Sequence, residues 1–219
     1  MRILTALLIA VSTSVAAHDG VVHKNPAEAK AHLEETRKIQ PVARPPVTAS
    51  PLPFDVGGPF ELVTSAGTPR TEVDPDGKHQ LLFFGYANCP SICAVALPIM
   101  GQAVDALAAE DIDLRPVMIT IDPERDTQES IDAPLQSIHP AFSGLTGDLA
   151  DLASAWAAFG IEREVAFVDP ELGPIYAHGS HIFLLSPRGE VLTIVPPILD
   201  VERVAEIVRA YVLAAPLTQ

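Results

Sequence analysis

The hydrophobic pattern of the chain changes at about residue 54. Beyond that point, short uninterrupted apolar runs alternate with longer segments in which apolar residues recur with a helical period. An uninterrupted run such as Leu81-Leu82-Phe83-Phe84 predicts a strand buried on both faces, and the helical period predicts amphipathic helices. The predicted strands cover residues 60–63, 81–86, 114–121, 165–168, 182–186 and 191–195. The predicted helices cover residues 90–109, 148–159 and 201–213, and one more starts at 126 or 127.

The order of these elements predicts the fold class. Strands and helices alternate through the first part of this region, and a hairpin with a turn at Pro187-Arg188-Gly189 then precedes a closing helix. This order is typical of an α/β domain of the thioredoxin-like type, with a central mixed sheet flanked by helices. Residues 60–63 are expected to form an N-terminal edge strand or hairpin, and residues 201–213 the C-terminal helix.

The first 53 residues have a different organisation. Residues 1–17 place Arg2 before an apolar stretch that ends in small residues, which is typical of a secretory signal peptide cleaved near Ala17. An uncleaved membrane anchor is the alternative. Residues 18–40 form a tail with a short predicted helix, and residues 41–53 form a proline-rich linker. We therefore expect export to the periplasm and a folded domain over residues 54–219.

Composition and charge narrow the function classes. The net charge is −14, since acidic residues outnumber Lys and Arg by 28 to 14. An acidic surface repels phosphate backbones, so nucleic acid is not an expected partner, whereas cations and basic protein patches are. No apolar run reaches the roughly 20 residues that a spanning helix needs, so no stable membrane span is expected after signal cleavage.

The only two cysteines of the sequence, Cys89 and Cys93, lie in one local motif after the predicted strand 81–86. Pro90 favours the first position of the following helix, where unpaired backbone N–H groups stabilise a thiolate. Residues four apart in a helix share a face, so both sulfurs are expected to converge. Dithiol enzymes of the thioredoxin class usually have two residues between their cysteines, and the three found here favour a metal chelate. A plain local disulfide is the alternative.

Two histidines compete for a place beside the cysteines. His178 and His181 precede the predicted strand 182–186, in a loop that a thioredoxin-like fold brings against the cysteine helix. Because they lie three apart in an extended segment, they are expected to face opposite sides, so only one reaches the sulfurs. Two thiolates and one imidazole suit Cu⁺ in a low-coordinate site, and additional ligands would suit Cu²⁺.

Four segments of the chain form a joint pattern. The first is Gly85-Tyr86-Ala87-Asn88-Cys89-Pro90-Ser91-Ile92-Cys93, and the others are Gly57-Gly58-Pro59-Phe60, Asp122-Pro123-Glu124-Arg125-Asp126-Thr127 and Gly144-Leu145-Thr146-Gly147. Together they resemble the motifs of the Sco/SenC family of copper-binding proteins. In that family the ligand histidine precedes an apolar strand that ends in a Pro-x-Gly turn, and counting back from Pro187 selects His178.

The resemblance implies a thioredoxin-like fold and copper, as Cu⁺ or Cu²⁺, bound by Cys89, Cys93 and His178. It also implies a metallochaperone that supplies copper to the binuclear copper centre of cytochrome c oxidase, or that reduces the cysteines of that centre. The expected partner is then the copper-site subunit of the oxidase or another periplasmic copper carrier.

The chain departs from the family pattern at three positions around the ligands. Ser91 and Ala177 stand where the family usually has aspartates, and Ala94 stands where it has a proline. Each departure removes an acidic or rigid group that would tune the ligands.

Other functions stay open on the residues alone. A thiol-disulfide oxidoreductase would use Cys89 as attacking thiolate and Cys93 as resolving thiol, and it would need no histidine. A peroxidase of related fold and a structural zinc site that uses both histidines are weaker alternatives. Residues 122–127 could form a functional loop or cap a helix. His18 and His23 could chelate copper at a mature N-terminus or be ordinary surface residues.

Overall fold

The computed structural model describes residues 44–214, the two-residue strands β1 (Val15–Ala16) and β2 (Val22–His23), and Glu28. The chain divides into two units, residues 1–46 and 47–219. In the first unit β1 pairs antiparallel with β2, and Glu28 is helical. The rest of the predicted signal peptide and helical tail, including His18, lies outside the described residues, so those predictions stay predictions.

Nine strands and four helices make up the described part of the second unit. The strands are β3 (Leu62–Thr64), β4 (Pro69–Arg70), β5 (His79–Gly85), β6 (Leu114–Thr120), β7 (Ser143–Thr146), β8 (Arg163–Asp169), β9 (Gly173–His178), β10 (Ile182–Leu185) and β11 (Val191–Val195). The helices are α1 (Cys93–Ala108), α2 (Asp132–Ile138), α3 (Leu149–Ala158) and α4 (Val201–Val212). No helix among the described residues is long and apolar enough to cross a membrane.

Seven strands form one mixed sheet in the order β11-β10-β5-β6-β7-β3-β4. The central strands β5, β6 and β7 are parallel, and the outer strands pair antiparallel. The β3–β4 hairpin supplies the predicted N-terminal edge, and α4 closes the domain. This architecture confirms the α/β, thioredoxin-like class with a central mixed sheet flanked by helices. β8 and β9 form a separate two-stranded sheet.

The central strand β5 forms because it is apolar on both faces. Its residues Leu81, Leu82, Phe83 and Phe84 are each at most 1% exposed. Burying one such side chain fully contributes about 1.5–3 kcal/mol, so this strand is a main source of stability. Met100 and Met118 are fully buried in the same core.

The carboxyl ends of β5 and β6 lie at one edge of the sheet because the two strands are parallel. Gly85 is paired with Thr120 at that edge, and the backbone N–H of Ile121 donates to the oxygen of Gly85 at 2.8 Å. The chain segment with both cysteines follows β5 directly. Cys89 and Cys93 therefore lie at this edge of the sheet.

The cysteine helix begins later than predicted. α1 starts at Cys93, not at Pro90, because residues 87–92 form turns in which the N–H of Cys89 donates to the oxygen of Tyr86 at 3.2 Å. Cys89 therefore precedes the helix. The sulfurs converge through this turn and not through helical spacing.

The helix predicted from Asp126 or Thr127 is also displaced. That segment forms turns, and α2 begins at Asp132. The cause is that Asp126 is 2% exposed and its carboxylate accepts hydrogen bonds from Ala87 and Thr120, so it does not cap a helix.

His178 lies in a strand that the hydrophobic pattern did not predict. Residues 176–181 were expected to form a loop, but β9 ends at His178 and pairs with β8. The turn between the strands is set by Asp169, whose carboxylate accepts hydrogen bonds from the N–H groups two and three residues further on. Gly173 completes it at φ +75°, a conformation that glycine adopts without strain.

Candidate metal centre

Three side chains that are far apart in sequence converge at the carboxyl edge of the sheet. Cys89 comes from the turn after β5, Cys93 is the first residue of α1, and His178 is the last residue of β9. One ligand atom of each, the two Sγ atoms and a ring nitrogen, lies within 4.8 Å of the others. Among the residues that the structure describes, no second group of three cysteine, histidine or acidic side chains converges in this way.

The two sulfurs are shielded from solvent. Cys89 is 8% exposed and Cys93 is 2% exposed. Gly85 makes room for them, since a Cβ atom at that position would lie 3.0 Å from the Sγ of Cys93 and 2.8 Å from the ring of Phe83. The absence of a side chain at the end of β5 thus lets Cys93 approach the strand.

The imidazole of His178 is oriented by its own neighbouring backbone. Its Nδ1 lies 2.8 Å from the oxygen of Gly179, so Nδ1 carries the proton in the tautomer that makes this hydrogen bond. The Nε2 lone pair then faces the cysteines, 3.9 Å from the Sγ of Cys93. His181 is exposed and does not belong to the cluster.

The surroundings of the two thiols shift their pKa values in opposite directions. The hydrogen bond from Cys93 lowers the pKa of Cys89 to about 4, against the opposing effect of burial. The hydrogen bond with Cys89 and burial raise the pKa of Cys93. At neutral pH the metal-free, reduced site therefore holds one thiolate and one thiol. Burial also raises the pKa of the nearby Tyr86 to about 12, so this phenol stays neutral.

Asp126 supports the turn that carries Cys89, and this role was not foreseen from the sequence. Its carboxylate accepts hydrogen bonds from the N–H of Ala87 at 3.0 Å and from the hydroxyl of Thr120 at 2.8 Å. Burial raises the pKa of Asp126. The only signal in the sequence was membership of the 122–127 segment, for which a functional loop and a helix cap were both open.

Arg125 fastens the β8–β9 hairpin to the rest of the domain. Its guanidinium forms an ion pair with Asp122 and donates hydrogen bonds to the oxygens of Leu172 and Pro174. The same group lies 5.2 Å from the ring centroid of Tyr86, whose ring is edge-on to that of His178. Arg125 therefore links the strand that carries His178 to the segment that carries Cys89.

Two sulfurs and one imidazole nitrogen form a soft donor set. Such a set selects Cu⁺ or Zn²⁺ over hard, oxygen-seeking cations. A closed Cys₂His₂ zinc site is incomplete here, because His181 does not reach the cluster. Ser91 and Ala177, at the positions where aspartates were considered, supply no carboxylate. A low-coordinate ion is the best chemical match.

Comparison with known proteins is consistent with this site. The family model described as SCO1/SenC matches residues 48–213. The human protein "SCO1 homolog, mitochondrial" is 34% identical over 139 residues, which cover 63% of this chain and 46% of that protein. The mouse protein "SCO2 homolog, mitochondrial" is 33% identical over 159 residues, which cover 72% and 62%. This chain therefore spans about half to three fifths of the length of these two relatives.

Solved structures have the same fold. Arabidopsis thaliana ScoI with copper bound has a TM-score of 0.66 and 28% identity, covering 71% of this chain and 97% of that one. Yeast Sco1 with copper bound has a TM-score of 0.63 and 29% identity, covering 74% and 92%. All three residues of the cluster lie within the region that the family model matches.

Proposed function

Because this chain belongs to the SCO1/SenC family, we propose that it is an exported copper chaperone of the cytochrome c oxidase assembly type. It holds one copper ion between Cys89, Cys93 and His178 and passes that ion to the copper-site subunit of the oxidase. Copper is the cargo in this proposal, and no turnover of a substrate is required.

The convergence of two sulfurs and one imidazole nitrogen is the observation that carries the proposal. Bonds of the length that zinc makes to these ligand types, about 2.3 Å to sulfur and about 2.0 Å to nitrogen, would separate the ligand atoms of a trigonal site by about 3.7–4.0 Å. The Sγ of Cys93 and the Nε2 of His178 are 3.9 Å apart. The ligand atoms therefore need only small shifts to surround one ion.

The charge state of the ligands supports reversible loading. Cys89 offers a thiolate at neutral pH, and Nε2 of His178 offers a lone pair. Cys93 loses its proton when the ion binds, because only the thiolate is a ligand. When a recipient thiolate takes the ion, Cys93 binds a proton again. This protonation favours release of the ion.

Export is part of the proposal and rests on residues 1–17. Their basic, apolar and small residues follow in the order that signal peptidase requires. Mass spectrometry of the protein secreted from its native host is expected to find a first residue at or near His18. Exported protein that retains Met1 would refute cleavage.

Metal loading tests the site directly. Reduced protein is incubated without oxygen with equal amounts of Cu⁺ and Zn²⁺, desalted, and analysed for metal per chain. Wild type is expected to retain one copper ion, and Cys89→Ser and Cys93→Ser to retain little. His178→Ala should lower copper affinity at least tenfold, whereas the control His181→Ala should not. Full copper in His178→Ala, or equal losses in both histidine variants, would contradict the ligand set.

Delivery is tested with the soluble domain of the oxidase copper-site subunit from the same host. Copper-loaded wild type and the metal-free domain are mixed without oxygen and separated at intervals, and the copper content of each is measured. Copper is expected to move to the domain. A preparation oxidised to the Cys89–Cys93 disulfide serves as control and should carry none, because a disulfide has no thiolate to offer.

A periplasmic thiol-disulfide oxidoreductase is the second candidate, and the unequal thiols favour it. A thiolate at Cys89 beside a protonated Cys93 is the arrangement of an attacking and a resolving cysteine. This function needs no imidazole. Thioredoxin-like rates of reduction of a general disulfide, unchanged by His178→Ala and independent of metal, would favour it over the chaperone.

A further inference from the structure

The β8–β9 hairpin exposes an unusual amount of apolar side-chain surface. Of the eleven large hydrophobic side chains that are exposed among the described residues, four lie on this hairpin. They are Val165, Phe167, Val168 and Leu172, with exposed fractions of 45–67%. The five central residues of β8 are all exposed, although a strand of this composition ordinarily buries at least one face.

The apolar side chains lie on both faces of the hairpin. Val165 is paired with Tyr176 and Val168 with Pro174, whereas Phe167 is paired with Ile175 across a register shift. Partners across a ladder share a face and consecutive residues alternate, so the two valines face one side and Phe167 the other. Among the described residues, β8 pairs only with β9, so its outer edge is also unpaired.

The hairpin starts at the metal centre. Arg163, the first residue of β8, is directly opposite His178. Val165 is two residues from that pair, about 7 Å along the strand. A protein seated on the hairpin would therefore lie next to the sulfurs and the imidazole, where one of its own ligands could reach a bound ion.

The exposed charges on the hairpin all have one sign. Its cationic group, Arg163, is turned inward, donating to the oxygen of Ile121 and lying over the ring of Trp156. Glu162, Glu164 and Glu171 are exposed around the apolar side chains. The hairpin thus carries exposed apolar side chains on both faces, with acidic side chains around them.

We propose that the β8–β9 hairpin is the docking surface for the protein that exchanges copper with this chain, and that this protein presents an apolar patch bordered by Lys and Arg. The inference rests on the proposed copper-transfer function and names where the partner binds. A second copy of this chain fits less well, because pairing two hairpins would bring their acidic borders together.

Copper transfer to a protein requires docking, whereas copper transfer to a small chelator does not. Comparing the two transfer rates therefore distinguishes a docking defect from a metal-binding defect. The loaded donors are wild type, Phe167→Thr/Val168→Thr, which keeps β-propensity, and Glu164→Lys/Glu171→Lys. The acceptors are the soluble domain of the oxidase copper-site subunit and the small chelator bathocuproine disulfonate. The control variant is Val73→Thr, since Val73 is 46% exposed but precedes the opposite end of β5.

Both hairpin variants should bind one copper ion and release it to the chelator at the wild-type rate. The rate of copper transfer to the domain should fall at least tenfold in Phe167→Thr/Val168→Thr. In Glu164→Lys/Glu171→Lys this rate should lose its dependence on salt concentration. Val73→Thr should behave as wild type. The amides of residues 164–168 that are not hydrogen-bonded to β9 should exchange rapidly in the free protein and slowly with the domain present.

Several results would overturn the docking surface. Wild-type transfer rates in both hairpin variants would overturn it while leaving the proposed function intact. Failure of wild type to pass copper to the domain, although the chelator receives it, would overturn the proposed recipient and the docking surface together. Concentration-dependent dimerisation abolished by the apolar variant would assign the surface to a second copy. Slow exchange, in the free monomer, of the amides of residues 164–168 that are not hydrogen-bonded to β9 would assign it to this chain's own tail.

Discussion

Both carboxylate oxygens of Asp126 accept hydrogen bonds from the turn that carries Cys89. Asp126→Ala would leave the N–H of Ala87 and the hydroxyl of Thr120 without this acceptor in a buried place. We expect a loss of about 1–3 kcal/mol in the free energy of unfolding, measured by urea denaturation, together with weaker copper binding. Asp126→Asn should fall between, because it keeps one acceptor oxygen.

The neighbouring Thr127 provides the matched control for this prediction. It is exposed, and its hydroxyl contacts only Glu129 and Ser130 among the described residues. Thr127→Ala should leave stability and copper binding nearly unchanged. Equal effects of the two substitutions would show that Asp126 has no special part in holding the turn.

The pH dependence of Cys89 follows from its neighbours. Its pKa is lowered to about 4 in the folded chain, whereas the pKa of a cysteine in an unfolded chain is about 8.5. Because the folded pKa is the lower one, its contribution to stability is fully present above about pH 8.5 and is lost as the pH falls towards 4. Alkylation of reduced, metal-free protein by iodoacetamide should accordingly stay on its plateau from neutral pH down to about 5.

Cys93→Ala tests the cause of that low pKa. The substitution removes the hydrogen bond that contributes most to it, so the midpoint of Cys89 alkylation should move towards neutral pH. Protein unfolded in urea should show a midpoint near that of free cysteine. An unchanged midpoint in Cys93→Ala would show that another group lowers the pKa.

Individual residues differ in how far the sequence revealed them. Cys89 and Cys93 were identified from type and spacing, and the choice of His178 over His181 came from a family resemblance. The structure brings His178, and not His181, to the sulfurs. Asp126 and Arg125 could not be assigned contacts, because their partners lie up to 49 positions away in the chain.

Among the elements, the β8–β9 hairpin is attached to the domain in part through Arg125. Arg125→Ala would remove the hydrogen bonds to two hairpin carbonyls and leave Asp122, which is 1% exposed, without its cation. We expect a stability loss of about 1–3 kcal/mol and faster hydrogen exchange confined to residues 163–178. Copper affinity should fall as well, although no ligand is altered.

A surface arginine gives the comparison for that prediction. Arg209 pairs with Glu110 on the exposed side of α4, and Arg209→Ala should change neither exchange in the hairpin nor copper affinity. Arg125→Lys keeps the charge but not the forked donors, so it should restore only part of the effect. Hairpin exchange rates equal to wild type in Arg125→Ala would refute the clamp.

Strands made of an uninterrupted apolar run were predictable, whereas the short buried strand β7 was not. β5 and β11 were predicted nearly to the residue because local hydrophobicity alone determines them. The start of α1, the start of α2 and the strand β9 were not, since the hydrogen bonds that set them, such as that from Cys89 to Tyr86 and those to the carboxylate of Asp169, leave no mark in the hydrophobic pattern. The start of α1 and the strand β9 both lie at the metal centre, where hydrogen-bonded turns position the ligands.

At the scale of the whole molecule, the segment before the domain is tied to its last helix. The hydroxyl of Tyr211 in α4 donates to the oxygen of Ser50 at 3.1 Å. Ser50 lies within the predicted linker 41–53, which thus has at least one contact with the domain. The predicted boundary at residue 54 remains a prediction.

The separation of the ligands along the chain has a consequence for folding. His178 follows Cys93 by 85 positions, and these two residues cannot hold one ion together in a random coil without closing that long loop. Copper bound at the site therefore acts as a removable cross-link that favours the native state, by about 4 kcal/mol when free ion exceeds its Kd roughly 1,000-fold. Calorimetry should show a melting temperature several degrees higher for loaded wild type than for metal-free protein. His178→Ala, loaded through the adjacent cysteines alone, should show little of this gain, since its ion spans only one turn. A chaperone that has delivered its copper would then unfold at a lower temperature than the copper-loaded protein.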